Sequence, residues 1–242
     1  AHDRPKVEAA AGPIATPETE IAQSFDDVLA KRIAFLTEYQ NQAYAERYAE
    51  RVLRIEAAER ERAPGKSGLA DAVARDLFKL MAYKDEYEVA RLYTSGDFER
   101  KLNRQFEGEM KLKFHLAPPL LARRHPESGH LIKREFGGWV LPVFRLLARC
   151  KGLRGTAFDI FGRSAERRRE RQLIGEYEAV LDSLADGLNP DNHALAVEIA
   201  KLPSEIRGFG HVKERNITRA KAREAELMAL WRTPRPRASA AE

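Results

Sequence analysis

A chain of 242 residues, 43% hydrophobic and 33% charged, is long enough to bury one sizeable core and too apolar to be a disordered polymer. Its 42 Lys and Arg against 37 Asp and Glu leave a formal charge of +5, a mild excess that favours acidic partners only weakly. A single cysteine, Cys150, excludes an internal disulfide, a cysteine-held cluster and a cysteine-built structural zinc site within this chain.

Residues 1–20 are rich in Ala, Pro and acidic residues without a stable period, and are expected to form a linker or frayed arm. Helical spacing then predicts one long helix from Ser24 to Arg62, with Phe25, Val28, Leu29, Ile33 and Leu36 continued by Tyr44, Tyr48, Val52 and Ile55. Ala63-Pro64-Gly65-Lys66-Ser67-Gly68 breaks it, so the helix becomes one arm of a hairpin, and Ser67 is placed to cap the next helix. That second arm carries Leu69, Val73, Leu77, Leu80 and Met81 and extends through Tyr87 to Leu92. Ser95-Gly96-Asp97 punctuates it, and a short helix follows with Phe98, Leu102 and Phe106.

The period then changes to two. In Lys111-Leu112-Lys113-Phe114-His115-Leu116 apolar and polar residues alternate, as on a half-buried strand, and His130 to Phe136 offers it an antiparallel partner across an exposed turn at 123–129. After Gly137-Gly138 a helix places Trp139, Val143, Leu146, Leu147 and Cys150 on one face. A Gly- and Phe-rich loop at 152–163, a helix at 164–186 and a helix opened by Asn189-Pro190 and running to Lys201 come next. A loop at 206–211 leads into a last helix ending at Trp231, and the Pro- and Arg-containing tail 232–242 is expected to be mobile. The expected fold is mainly α: one multi-helix domain over 21–231, with a long N-terminal helical hairpin and one small antiparallel β-hairpin.

Motifs for chemistry are sparse. Gly152-Leu153-Arg154-Gly155 is too short for a dinucleotide fingerprint and follows no strand, and Gly65-Lys66-Ser67 lacks the upstream glycine of a Walker A loop. The six histidines form no metalloprotease pair. His115 reads as a cross-strand surface histidine or a donor to an acidic ligand. Gly208-Phe209-Gly210-His211 opens a helix, which makes it either a tight turn needing glycine or an anion site at a helix N-terminus with Arg207 and Lys213 beside it. The run Arg163, Arg167, Arg168, Arg169 and Arg171 is expected to be a solvated or subunit-facing surface paired with the interleaved Glu166 and Glu170. Lys84-Asp85-Glu86-Tyr87-Glu88 could hold an acid–base pair, but reads first as an exposed, salt-bridged helix segment.

Four ordered blocks are more specific. They are Leu77-Phe78-Lys79-Leu80-Met81-Ala82-Tyr83-Lys84-Asp85-Glu86-Tyr87-Glu88-Val89-Ala90-Arg91-Leu92-Tyr93, Lys113-Phe114-His115-Leu116-Ala117-Pro118-Pro119-Leu120, Lys151-Gly152-Leu153-Arg154-Gly155-Thr156 and Ile206-Arg207-Gly208-Phe209-Gly210-His211-Val212-Lys213. In this order they resemble the C-terminal region of the fused, single-chain bacterial indolepyruvate ferredoxin oxidoreductases, over about Phe25 to Trp231. The resemblance implies a parent enzyme that oxidatively decarboxylates arylpyruvates to aryl-acetyl-CoA, with thiamine diphosphate, Mg and 4Fe-4S clusters as cofactors and ferredoxin and coenzyme A as partners. This chain departs from the whole-enzyme pattern: Gly96-Asp97-Phe98 is not the thiamine metal motif, and there are no clustered cysteines. No catalytic residue, metal ligand or cofactor is therefore assigned to this segment.

The expectation is a non-catalytic accessory domain that packs on the rest of the oxidoreductase polypeptide and its homo-oligomer. It is expected to be cytoplasmic, because a lone thiol suits a reducing compartment, no apolar run approaches the roughly 20 residues that cross a bilayer, and the start lacks a signal-peptide core. The absent initiator Met is what a fragment or a processed chain would show. A second expectation is a module for an anion such as the phosphates of coenzyme A, held by His115, Arg123, Arg124, Lys133, Arg134, Arg207, His211 and Lys213. A third, a basic helical nucleic-acid binder, is disfavoured by the small net charge.

Overall fold

The structure, a computed structural model, describes residues 24–105, 111–116 and 134–233. The predicted arm at 1–20, the turn at 123–129 and nearly all of the tail lie outside the described residues. The first half of the chain forms α1 (Phe25–Tyr39), α2 (Gln42–Arg62), α3 (Leu69–Met81), α4 (Glu86–Thr94), α5 (Gly96–Gln105) and β1 (Lys113–Leu116). The second half forms β2 (Arg134–Gly137), α6 (Val140–Arg149), α7 (Ala165–Gly187), α8 (His193–Ala200) and α9 (Gly210–Arg232). Short 3₁₀ turns occupy Cys150–Leu153 and Leu202–Glu205. The fold is mainly α, with one two-stranded antiparallel sheet among the described residues.

The single helix expected from Ser24 to Arg62 is two. The side chain of Asn41 accepts a hydrogen bond from the Tyr44 amide at 2.9 Å and caps α2, while Gln40 leaves the helical region. An asparagine that can satisfy a backbone donor in this way competes with the helix it interrupts. The apolar stripe survives the break: Leu29, Leu36, Tyr39, Ala45, Tyr48, Val52 and Ile55 are all buried. α1 and α2 pack on each other as a hairpin, and α2 packs in turn on α3 and α7.

α3 is the centre of the main core. Leu69, Val73, Leu77, Leu80 and Met81 are buried as their spacing predicts, and Ala70, Ala72 and Ala74 let neighbouring helices approach on other sides. Each large side chain so buried contributes about 1.5–3 kcal/mol. Its N-terminus is not capped by Ser67. Gly68 takes the N-cap position at φ 104°, and the buried carboxylate of Glu59 on α2 accepts from the amides of Leu69 (2.8 Å) and Ala70 (2.9 Å). The same Glu59 meets the His193 ring at 2.6 Å. The predicted continuation of α3 through Tyr87 is also interrupted, at Ala82–Asp85, before α4 begins.

A second, smaller core gathers Ala90 and Tyr93 of α4, Phe114 of β1, Phe136 of β2 and Val140 and Phe144 of α6. The Tyr93 ring lies 5.1 Å edge-on from Phe114 and 5.7 Å stacked on Phe144, an aromatic arrangement worth more than area burial alone. Phe114 pairs with Phe136 and His115 with Glu135 across the strands, so the alternation read from the sequence holds: Phe114 is buried and His115 exposed.

Asn189-Pro190 does not open a helix. The side chain of Asn189 instead accepts from the amides of Asp191 (3.0 Å) and Asn192 (3.1 Å) in a turn, and α8 starts at His193, which points inward to Glu59. Between α2 and α7 lies a row of ion pairs, Arg47 to Glu178, Arg51 to Asp182, and Arg54 to Asp182 and Asp186. The outer pairs are solvent-exposed, so Arg54→Ala is expected to lower stability by less than about 1 kcal/mol in urea denaturation. No helix of the described residues is long and apolar enough to cross a membrane.

Candidate functional site

Two of the sequence blocks meet at a buried ion pair. Asp85 in the α3–α4 turn and Arg154 after α6 are 3% and 4% exposed. Arg154 donates from Nε to Asp85 Oδ2 (2.5 Å) and from Nη2 to Asp85 Oδ1 (2.9 Å). Its Nη1 donates to the Tyr39 carbonyl (2.7 Å), and its guanidinium lies 3.7 Å from the Tyr39 ring centroid. Asp85 also caps α4 by accepting from the Glu88 amide at 2.8 Å. Burial, opposed by Arg154, raises the Tyr39 phenol far above its ordinary pKa, and its hydroxyl donates to the Tyr83 carbonyl. The segment 84–88 is therefore not an exposed charged patch. Glu88 is buried too and is held by Arg91, which also reaches Glu38. These carboxylates are committed to guanidinium partners, an arrangement for fixing backbone rather than for moving protons.

Asp159 does the same for the loop. It is 4% exposed and accepts from the amides of Gly155 (2.8 Å) and Gly162 (2.8 Å) and from the Tyr87 hydroxyl (3.3 Å). A Cβ on Gly162 would sit 2.1 Å from Asp159 Oδ2, so glycine is required there. Lys151 donates to the Glu38 carbonyl at the end of α1, and Arg171 of α7 donates to the Gly162 carbonyl (2.6 Å). The loop 151–163 is thus tied to α1, α4 and α7.

What this framework displays is apolar. Trp139 is 66% exposed, Val143 51% and Leu146 64%, and they follow one another at helical spacing along α6. On the fixed loop, Phe158 is 74% and Ile160 55% exposed. The face predicted from Trp139, Val143, Leu146, Leu147 and Cys150 exists, but it is not a core face over its first three positions. α4 and the strands cover Val140 and Phe144 instead. A helix apolar on more than one side leaves a face over when it has neighbours on only one, and a contiguous exposed apolar patch marks an interaction site.

Of the residues predicted to hold an anion, the described ones stand in two places, on the strands and at the start of α9. Arg123, Arg124 and Lys133 lie outside the described residues. His115 and Arg134 are exposed on the strands beside the smaller core, where Glu135 is taken by Lys113 at 2.8 Å. Arg207, His211 and Lys213 stand instead at the start of α9, beside the main core. There Gly208 (φ 93°) and Gly210 (φ 54°) make the tight turn that requires glycine, and Lys213 is paired with Glu170. Glu170 is thereby removed from the arginine run, whose members reach elsewhere: Arg167 to Glu86, Arg169 to Glu176, Arg171 to the loop and Arg163 to the Ala157 carbonyl. The run staples α7 to its surroundings, and is not the self-paired solvated surface its sequence suggests.

Asp76 on α3 was invisible to spacing arguments. It is fully buried; Ser204 Oγ donates to Oδ1 at 2.6 Å, and Oδ2 has no hydrogen-bond partner among the described residues. Burial, opposed by Ser204 and Lys79, raises its pKa above the ordinary 3.8. The folded state therefore holds this proton more tightly than the unfolded chain. The resulting stability is full below about pH 4 and is lost as pH rises through the folded value. Asp76→Asn is expected to flatten that segment of the stability profile, measured by urea denaturation between about pH 4 and 8.

Among the described residues no group of three or more His, Cys, Asp and Glu is placed to hold a metal ion, and with Cys150 as its one cysteine the chain's donor set does not fit a 4Fe-4S cluster. A family model described as a family of unknown function (DUF6537) matches residues 25–226. No curated protein and no solved structure matches the chain.

Proposed function

We propose that this chain, which belongs to the DUF6537 family of unknown function over residues 25–226, is an assembly domain that docks the apolar face of residues 139–160 onto the catalytic remainder of a cytoplasmic 2-oxoacid:ferredoxin oxidoreductase of the indolepyruvate type. The observation that carries the docking role is the exposure of Trp139, Val143 and Leu146 on α6, which packs on α4, together with that of Phe158 and Ile160 on a loop fixed by Arg154 and Asp159. Ordering a loop costs entropy before any partner arrives, and a surface prepaid in this way binds more tightly. The resemblance carried by the four sequence blocks is what supports this choice of partner. On this reading thiamine diphosphate, Mg, the 4Fe-4S clusters and the residues that handle arylpyruvate, coenzyme A and ferredoxin sit in the remainder of the enzyme, and this domain contributes to its homo-oligomer.

Sedimentation of the full chain with that catalytic remainder tests the reading. The wild-type chain is expected to co-sediment. Leu146→Asp should keep its helical content and melting curve while the dissociation constant rises at least about 30-fold, the loss typical of a central apolar anchor. Unchanged association in Leu146→Asp and Phe158→Asp, or indolepyruvate oxidation by the isolated chain, would overturn it.

A further inference from the structure

A cleft of about 220 Å³ opens where the end of α3 meets the first turns of α7 and α9. Four of its lining residues are cationic, Lys79, Lys84, Arg167 and Lys213, against two carboxylates, Glu166 and Glu170. Glu170 is consumed by Lys213 at 2.5 Å, and Arg167 faces Glu86 at 3.5 Å. Among the described residues neither Lys79 nor Lys84 forms an ion pair with a carboxylate. The Lys79 ammonium donates to the Pro203 carbonyl at 2.7 Å, a neutral partner. Burial, opposed by the Asp76 carboxylate and helped by the charges of Arg207 and Lys213, lowers its pKa.

The other walls are apolar. Tyr83 and Ile206 are buried at 6% and 7%, whereas Phe209 is 80% exposed at the rim. Phe209 is the N-cap of α9 and supplies no side-chain acceptor, so the first amides of that 23-residue helix add positive potential beside the lysines.

We propose that this cleft binds a small organic anion, a carboxylate or phosphate carried on an aromatic body. The head group would face Lys79 and Lys84, neither of them held in an ion pair among the described residues, and away from Glu166, and the body would lie against Tyr83 and Ile206 under Phe209. The volume suits a molecule of about ten heavy atoms rather than a polymer. The site is distinct from the docking face and does not depend on it. It shares Lys213 and the α9 turn with the anion site expected from sequence, but draws its other cations from α3, the α3–α4 turn and α7 in place of the strands.

Benzoate and phenyl phosphate titrated into the full chain, followed by NMR, test the proposal, with acetate and inorganic phosphate as controls that carry no aromatic body. One aryl anion at least should shift resonances of Lys79, Tyr83 and Phe209 and bind about 10-fold or more tightly than its control. The stronger of the two identifies the head group. Exposed Lys84→Glu should weaken it at least about 10-fold, and exposed Phe209→Ala should abolish the preference over the control. Both substitutions leave the buried core alone, and matching melting curves establish that each variant is folded. Absence of shifts with both aryl anions, equal binding of the controls, or unchanged affinity in Lys84→Glu would overturn the proposal.

Discussion

Arg154→Ala is expected to cost about 3–5 kcal/mol of folding free energy, the loss seen when one partner of a buried ion pair is removed. The residue makes two bonds to Asp85, one to the Tyr39 carbonyl and a face contact with the Tyr39 ring. Truncation leaves the Asp85 carboxylate buried at 3% exposure with only its α4-capping bond, and strands the last carbonyl of α1. Set against the roughly 5–15 kcal/mol that holds a typical domain, such a loss should bring the midpoint of urea denaturation down sharply. Amides of residues 151–163 should also lose hydrogen-exchange protection before the main core does, because removing this pair leaves the loop hydrogen-bonded to α1 and α4 through Lys151 on the Glu38 carbonyl and Tyr87 on Asp159. A loss under about 1 kcal/mol would place Arg154 with the exposed pairs of α2 and α7.

Glu59→Ala should be nearly as damaging, at about 2–4 kcal/mol, because one buried carboxylate serves three donors. The amides of Leu69 and Ala70 at the start of α3 and the His193 ring of α8 all lose their acceptor. Glu59→Gln retains one amide oxygen and should recover part of the loss. Ser67→Ala, by contrast, should be close to neutral, since Ser67 makes no capping bond to α3. Thermal and urea melts of the three variants separate these outcomes, and a large effect at Ser67 with none at Glu59 would reverse the assignment of the cap.

The contrast between Ser67 and Glu59 shows where sequence reading stops. Periodicity located the buried stripe of α3, the alternation of β1 and the main helices, because core-facing positions must recur at the pitch of the element. Caps supplied from a distance leave no such trace. Glu59 lies 10 residues from the amide it satisfies, and Asp85 lies 69 residues from Arg154. In sequence both look like ordinary surface charges, since nothing local separates a carboxylate destined for a buried guanidinium from one bound for water. The same blindness hides the partner of Arg167, which is Glu86 of α4, whereas Arg169 pairs within α7 and Arg163 and Arg171 bond to the loop just before it. Asn41 has the chemistry of a cap, but the apolar stripe runs straight across it, so spacing alone predicts one helix where there are two. On α6 the apolar residues occupy more than one side, so spacing alone could not say which face α4 and the strands would cover. The anion residues chosen from sequence share charge and proximity in the chain, yet the described ones flank different cores. The cleft instead joins Lys79 and Lys84, near neighbours in the chain, to Arg167 of α7, which no local motif connects to them.

Trp139 gives the most direct view of the docking face. The chain has two tryptophans, and Trp231→Phe leaves Trp139, 66% exposed in the free chain, as the sole indole emitter. On addition of the catalytic remainder of the oxidoreductase, Trp139 emission is expected to move to the blue and to become protected from acrylamide quenching in step with complex formation. A complex that forms while Trp139 stays solvent-quenched would contradict the docking role.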